Sequence, residues 1–190
     1  MKTTLTLFLL TLSIVFVLFL KINSDAIMSE YKYIGESRCK PCHSINRKGN
    51  QYAIWEKSAH SRAIISLNSN KAKEYALANS IPNPAKSENC LKCHSTGFSK
   101  SYSAFELAFD ILKGVQCEEC HSAGSGYSKY NNMISNKLFL NNGGQRSDLN
   151  HCYDCHSSNV ENKRINKCPF QTVNFDAKVS FKKIQHAIIK

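Results

Sequence analysis

Apolar positions in this 190-residue chain fall into one long run and several short periodic stretches. The run goes from Thr3 to Leu20 without a charge, framed by Lys2 and Lys21. Such a segment is a secretory signal or an uncleaved N-terminal anchor. Ser24-Asp25-Ala26 offers small residues spaced for cleavage after Ala26. No cysteine follows closely enough for a bacterial lipoprotein anchor. Residues 1–26 are therefore read as signal peptide or membrane anchor, and 27–190 as one domain.

Beyond the leader the apolar pattern has the helical period. Tyr52, Trp55, Ala59, Ala63 and Ile64 predict a helix over Gln51–Ile65. Asn70–Ala78, rich in Lys, Ala, Glu and Leu, predicts another, stopped by Ile81-Pro82-Asn83-Pro84. Ala104–Lys113 reads as a short amphipathic helix with Gly114 as its C-terminal cap, and Lys178–Ile189 as a closing helix. Gly124-Ser125-Gly126 and Asn141-Asn142-Gly143-Gly144 read as loops. The expected fold class is mainly α: short helices and long connections with little or no sheet.

Within this frame one string occurs four times: Cys39-Lys-Pro-Cys42-His43, Cys90-Leu-Lys-Cys93-His94, Cys117-Glu-Glu-Cys120-His121 and Cys152-Tyr-Asp-Cys155-His156. Cys-x-x-Cys-His is the attachment pattern of haem c. Two cysteines three positions apart lie about one helical turn from each other, at a rise of ~1.5 Å per residue. They reach the two vinyl groups of one porphyrin edge, and the next residue offers its imidazole to the iron. A zinc ribbon or a disulfide framework would use paired cysteines, but neither requires a histidine directly after every second one. The expected cofactor is four haem c groups. Eight of the nine cysteines are thereby used, and Cys168 is left as an idle or buried thiol. From first cysteine to first cysteine the gaps are 51, 27 and 35 residues, so the copies are not stacked repeats. The region 27–190 leaves roughly forty residues per haem, and porphyrins would supply apolar volume the chain need not provide.

Seven histidines less the four in the motifs leave His60, His151 and His186 as distal-ligand candidates. Four irons with two imidazoles each would need more than the chain holds, so at least one haem has another sixth ligand or none. Met28, Met133 or a lysine are the other side chains available for it. His60 lies on the predicted helix beside apolar residues, with a plain surface histidine as the bland alternative. His186 falls in the predicted C-terminal helix. His151 directly precedes Cys152, and a hydrogen bond to a haem propionate competes there with iron ligation.

Charge refines the picture. The formal net charge is +11. Removing residues 1–26 takes away Lys2, Lys21 and Asp25 and leaves +10. Two propionates per haem, offset by each ferric core, would bring the holoprotein to a mild or moderate basic balance. The lysines and arginines are scattered, unlike a nucleic-acid footprint. They point to an acidic redox partner and to no nucleic acid.

Several strings resemble the tetrahaem cytochrome c-554 family: Tyr33-Ile-Gly35, Trp55-x-x-Ser58-Ala59-His60, Asn89-Cys90-x-x-Cys93-His94-Ser-Thr-Gly97-Phe98, and Gly114-Val115-Gln116-Cys117-Glu118-x-Cys120-His121. Asn174-Phe175-Asp176 and Ile184-Gln-His186 extend the resemblance over roughly residues 31–188. It implies a helical, haem-packed fold with porphyrins in close pairs and periplasmic electron transfer. It also implies His60 and His186 as distal ligands. In the family's type member, electrons come from hydroxylamine oxidation, and one of four haems is five-coordinate. Two departures stand out. The family usually has Gly-Pro-Gly after the third motif, where this chain has Ser122-Ala123-Gly124. A histidine often follows that loop, where this chain has Tyr127 and Tyr130.

The expected function is electron transfer between redox proteins through four closely packed haems, in the periplasm, either soluble or held at the membrane by the N-terminal segment. The competing functions are a haem enzyme, acting on a small nitrogen or sulfur compound at an open iron, and an NO-binding sensor. No cluster supplies an evident proton relay, so the carrier is preferred to the enzyme.

Overall fold

The computed structural model describes residues 31–156 and 175–186. The Thr3–Leu20 run, the Ala26 cleavage site, Cys168 and Asn174 lie outside them. The chain divides into Met1–Tyr31 and Lys32–Lys190, and the second unit carries all four motifs. It is mainly helical. Its α-helices are α1 (Glu36–His43), α2 (Gln51–Lys57), α3 (Ala63–Ser66), α4 (Asn70–Ala78), α5 (Glu88–His94), α6 (Cys117–His121), α7 (Tyr130–Met133), α8 (Asn136–Asn141), α9 (Leu149–His156) and α10 (Ala177–Ile184). Among the described residues there is no strand, only one isolated parallel bridge between Tyr33 and Phe105. None of the described helices is long and apolar enough to cross a membrane.

The apolar core of the polypeptide is small. Ile64 and Leu67 pack with Leu91 of α5, flanked by Ala85, Cys90 and Phe98. Much of the rest of the interior is polar. Thr96, Gln116, Glu118 and Ser95 are all at most 2% exposed. Burial without partners would cost each of them a few kcal/mol, so their hydrogen bonds decide the fold. Thr96 Oγ1 accepts the Gln116 N–H at 2.8 Å, and Gln116 Nε2 donates to the Asp110 carbonyl at 2.8 Å. Gln116 Oε1 accepts the Glu36 N–H at 2.9 Å, and Glu36 in turn accepts the Tyr52 hydroxyl at 2.7 Å. This network joins the segment before the first motif to the segment before the third.

The Asn70–Ala78 helix forms with the expected bounds, started by Ser69, whose hydroxyl accepts the Ala72 N–H. Three other expectations are corrected. Gln51–Ile65 is not one helix: α2 stops at Lys57, a 3₁₀ turn covers His60–Arg62, and α3 follows. Ser58 is extended and its hydroxyl accepts the His60 N–H, giving the backbone a local alternative to the helix. Ala104–Lys113 is also not a helix. Phe105 and Phe109 share the helical spacing, but both pack on Tyr33, with ring centroids 5.4 and 6.0 Å away. The Tyr33 N–H donates to Ala104 O and its carbonyl accepts the Glu106 N–H, which draws this stretch into extended pairing. Gly114 accordingly caps no α-helix. Lastly, α10 ends at Ile184, because Gln185 is extended, and His186 lies just past the helix.

Ser122 follows α6 with φ 67° and ψ 176°, a conformation that is almost glycine's alone. The Tyr127 hydroxyl holds it there by donating to the Ser122 carbonyl at 2.9 Å. Ser122→Gly relieves strain of ~3 kcal/mol and gives back part of that in chain entropy and one side-chain hydrogen bond. A net stabilisation of about 1 kcal/mol is expected, read as a higher melting temperature.

Candidate functional site: four helix-ending Cys-x-x-Cys-His motifs

All four motifs share one local design: each histidine, His43, His94, His121 and His156, is the last residue of its helix. The helical turn sets both cysteines on neighbouring positions of one face, and after His43, His94 and His121 the helix breaks, which frees the imidazole to turn away from it. Cys39, Cys90, Cys93, Cys117, Cys120, Cys152 and Cys155 are half-buried and Cys42 is exposed; none of these eight is in a disulfide.

The motifs meet in pairs. The Cys39 and Cys117 sulfurs act on one another where α1 packs on α6, which sets the first motif beside the third. Cys93 and Cys155 likewise act on one another, which sets the second motif beside the fourth. Hydrogen bonding to Cys155 is the main cause holding the Cys93 thiol down, to about 7, while Cys155 is pushed up.

The imidazoles are arranged for metal binding. Nδ1 of His43 lies 3.2 Å from Gln51 Oε1, Nδ1 of His94 2.7 Å from Ala63 O, and Nδ1 of His121 3.0 Å from Gln145 O. Nδ1 of His186 is 3.3 Å from Ile184 O. A carbonyl oxygen only accepts, so the proton sits on Nδ1, the tautomer in which Nε2 is the nitrogen able to bind a metal. Burial, and secondarily nearby imidazoles, lower the pKa of His60 and His156, favouring the neutral form that ligates. Burial does the same at His121.

Two distal candidates come to two motif histidines. The His60 ring lies 6.1 Å from that of His156, and the His186 ring 5.8 Å from that of His121, measured between centroids. Two metal–nitrogen bonds of ~2 Å on opposite sides of one ion, plus ~1 Å from each nitrogen to its ring centre, separate two imidazoles by about 6 Å. Both pairs have the centroid spacing of two imidazoles on one metal ion. His156 is also stacked on Phe175, with centroids 4.5 Å apart.

His151 is placed differently. Its Nε2 accepts the Gln145 amide N–H at 2.9 Å, which occupies the lone pair a metal would need. Its Nδ1 is buried without a hydrogen bond, 3.5 Å from Asp148 Oδ1. Tyr127 is bonded to Ser122 and packs edge-on against Phe139, which in turn meets the His121 ring.

The segment holding His60 is pinned by contacts of Trp55, Gly114 and Val115 that the sequence did not indicate. Trp55 Nε1 donates to Val115 O at 2.7 Å, and the Val115 N–H donates to His60 O at 3.0 Å. Gly114 lets that carbonyl approach: a Cβ on it would sit 2.6 Å from His60 O. Gln145 was another omission. It lies in no motif, yet its carbonyl orients His121 and its amide engages His151.

Comparison with known proteins agrees with this geometry. The family model described as "Cytochrome c554 and c-prime" matches residues 38–122, which contain the first three motifs and His60. Cytochrome c-554 of Nitrosomonas europaea is 27% identical over 185 residues, covering 87% of this chain and 76% of the relative. No solved structure matches. Helix-ending Cys-x-x-Cys-His motifs, imidazoles that carry their proton on Nδ1, and these two similarities point the same way: the chain resembles the cytochrome c554 family.

Proposed function

We propose that this protein is a four-haem electron carrier that is exported to the periplasm and passes electrons between redox proteins. The observation that carries the reading is the pair of imidazole couples, His60 with His156 and His186 with His121, each spaced for one iron. In this reading the cysteines of all four motifs hold the porphyrins by thioethers, and His43, His94, His121 and His156 are the proximal ligands. His60 is the distal ligand of the fourth haem and His186 that of the third. His151 acts through its hydrogen bonds to Gln145 and not through iron.

A bis-histidine haem supplies one-electron chemistry with little structural change, which suits transfer. The rest is the polypeptide's work. Backbone and side-chain carbonyls hold the imidazole protons on Nδ1. The Trp55–Val115 hydrogen bond fixes the approach of His60, and the closeness of Cys39 to Cys117 and of Cys93 to Cys155 sets motifs one and three, and two and four, edge to edge. Close pairing favours rapid exchange within each pair. The small apolar core around Ile64, Leu67 and Leu91 fits an interior completed by porphyrin. Residues 1–26 act as signal or anchor and 27–190 as the tetrahaem domain. The basic balance of the chain selects an acidic redox partner.

Seven histidines cannot supply eight axial positions, so at least one haem is not bis-histidine. In the oxidised holoprotein, EPR should show a high-spin signal beside the low-spin ones, and cyanide should convert it to low spin. Reduced protein should not be reoxidised catalytically by hydroxylamine or nitrite. Catalytic reoxidation would favour the enzyme reading. Four low-spin haems, each with two histidine ligands, in a monomer would contradict the ligand set.

A further inference from the structure

The buried carboxylate of Glu118 takes part in neither haem attachment nor axial ligation. It sits between the two cysteines of the third motif and is 1% exposed. Its Oε1 accepts the N–H groups of Ile34 at 2.9 Å and Gly124 at 2.6 Å, and its Oε2 accepts the Gly35 N–H at 2.7 Å. Burial pushes the Glu118 carboxyl up and the three N–H donors pull it down, with Glu106 adding a like charge. The donors decide the form the site is built for. All three are donors, so a carboxylic acid proton would have to point at one of them, whereas a carboxylate satisfies all three.

A second carboxylate lies close by. Glu36, on α1 three residues ahead of Cys39, is 6% exposed and accepts the Tyr52 hydroxyl at 2.7 Å. Both Glu36 and Glu118 act electrostatically on both Cys39 and Cys117. Those are the thioether positions of the first and third motifs. At the other thiol pair, Lys92 acts on Cys93 beside Glu119, so charge there is mixed.

A ferric haem carries one more positive charge than a ferrous one. A fixed anion nearby therefore stabilises the oxidised state and lowers the reduction potential, the more so out of water. We propose that Glu118, seconded by Glu36, holds down the reduction potential of the haems attached at the first and third motifs. The backbone contacts to Ile34, Gly35 and Gly124 thus have a second role: they keep a charge buried where it acts on the redox centres. This rests on haem occupying those motifs as proposed above.

The test is a spectroelectrochemical titration of the holoprotein after haem content has been measured by pyridine haemochrome. E118Q removes the charge and should raise at least one component of the titration by tenfold or more in its reduction equilibrium, 59 mV for a one-electron couple. E118D keeps the charge and should leave that component near its wild-type position, even if the protein is less stable. E36Q preserves an acceptor for Tyr52 and should shift the same component upward. It carries the test alone if E118Q yields no holoprotein. A curve unmoved by either neutral variant at full haem content overturns the inference, as do equal shifts in E118Q and E118D. Absence of haem from the first and third motifs would show earlier, in the haemochrome, and would overturn the four-haem reading with it.

Discussion

His60→Ala is expected to turn one of the low-spin haems high-spin while all four remain attached. The thioethers are made by cysteines, so the substitution leaves the covalent bonds intact. The imidazole it removes stands 6.1 Å from that of His156, and in the proposed ligand set the two would hold one iron. A methyl group cannot replace it as a ligand, and a weak-field ligand or an open position follows. EPR of the oxidised variant should lose one low-spin signal and gain one high-spin signal, and cyanide should restore low spin. An unchanged spectrum would remove His60 from the ligand set.

Gly114→Ala is expected to be the most damaging change outside the motifs. Gly114 has φ 74°, and an added Cβ would meet His60 O at 2.6 Å, Ser61 O at 3.2 Å and Ala63 N at 3.3 Å. These are backbone atoms, which cannot swing aside. Conformational strain of ~1–3 kcal/mol combines with the displacement of the His60 carbonyl from the Val115 N–H, for a total of about 3–5 kcal/mol. That is a large part of a typical domain's stability. At ~2–4 °C per kcal/mol for a chain of this size, thermal melting should fall by roughly 6–20 °C. The same change moves the His60 segment, so the haem that responds in EPR should be the one that responds to His60→Ala. A variant that melts like the wild type would mean that the Gly114–His60 contact is not a constraint.

The motifs were the most legible part of this chain, because haem attachment is written in adjacent residues. Helix class was legible too, and Asn70–Ala78 was read to the residue because a serine cap and a proline stop bound a stretch of good helix formers. Failures came where a distant segment overrode local period. Phe105 and Phe109 follow a helical spacing but are captured by Tyr33, more than seventy residues earlier in the chain. The Trp55–His60 stretch reads as continuous helix, yet Ser58 and the Gly114-Val115 backbone fold it into two pieces.

The candidate site was legible as a set of residues and not as pairs. That the His60 ring meets His156 and the His186 ring meets His121 depends on how the 3₁₀ turn at His60 comes to the end of α9 and the residues after α10 come to the end of α6, which no spacing records. Gln145 carried no signal, since a lone glutamine in a loop resembles any other. Glu118 was visible only as the residue between two cysteines. Its burial arises because three N–H groups from two other segments close around it.

The most direct test of the four-haem reading is the intact mass of the exported protein. Four haem additions on the chain, with a pyridine haemochrome of the c type, are predicted. A mass showing fewer than four haems would contradict the count, and a zinc-loaded chain without haem would contradict the whole account.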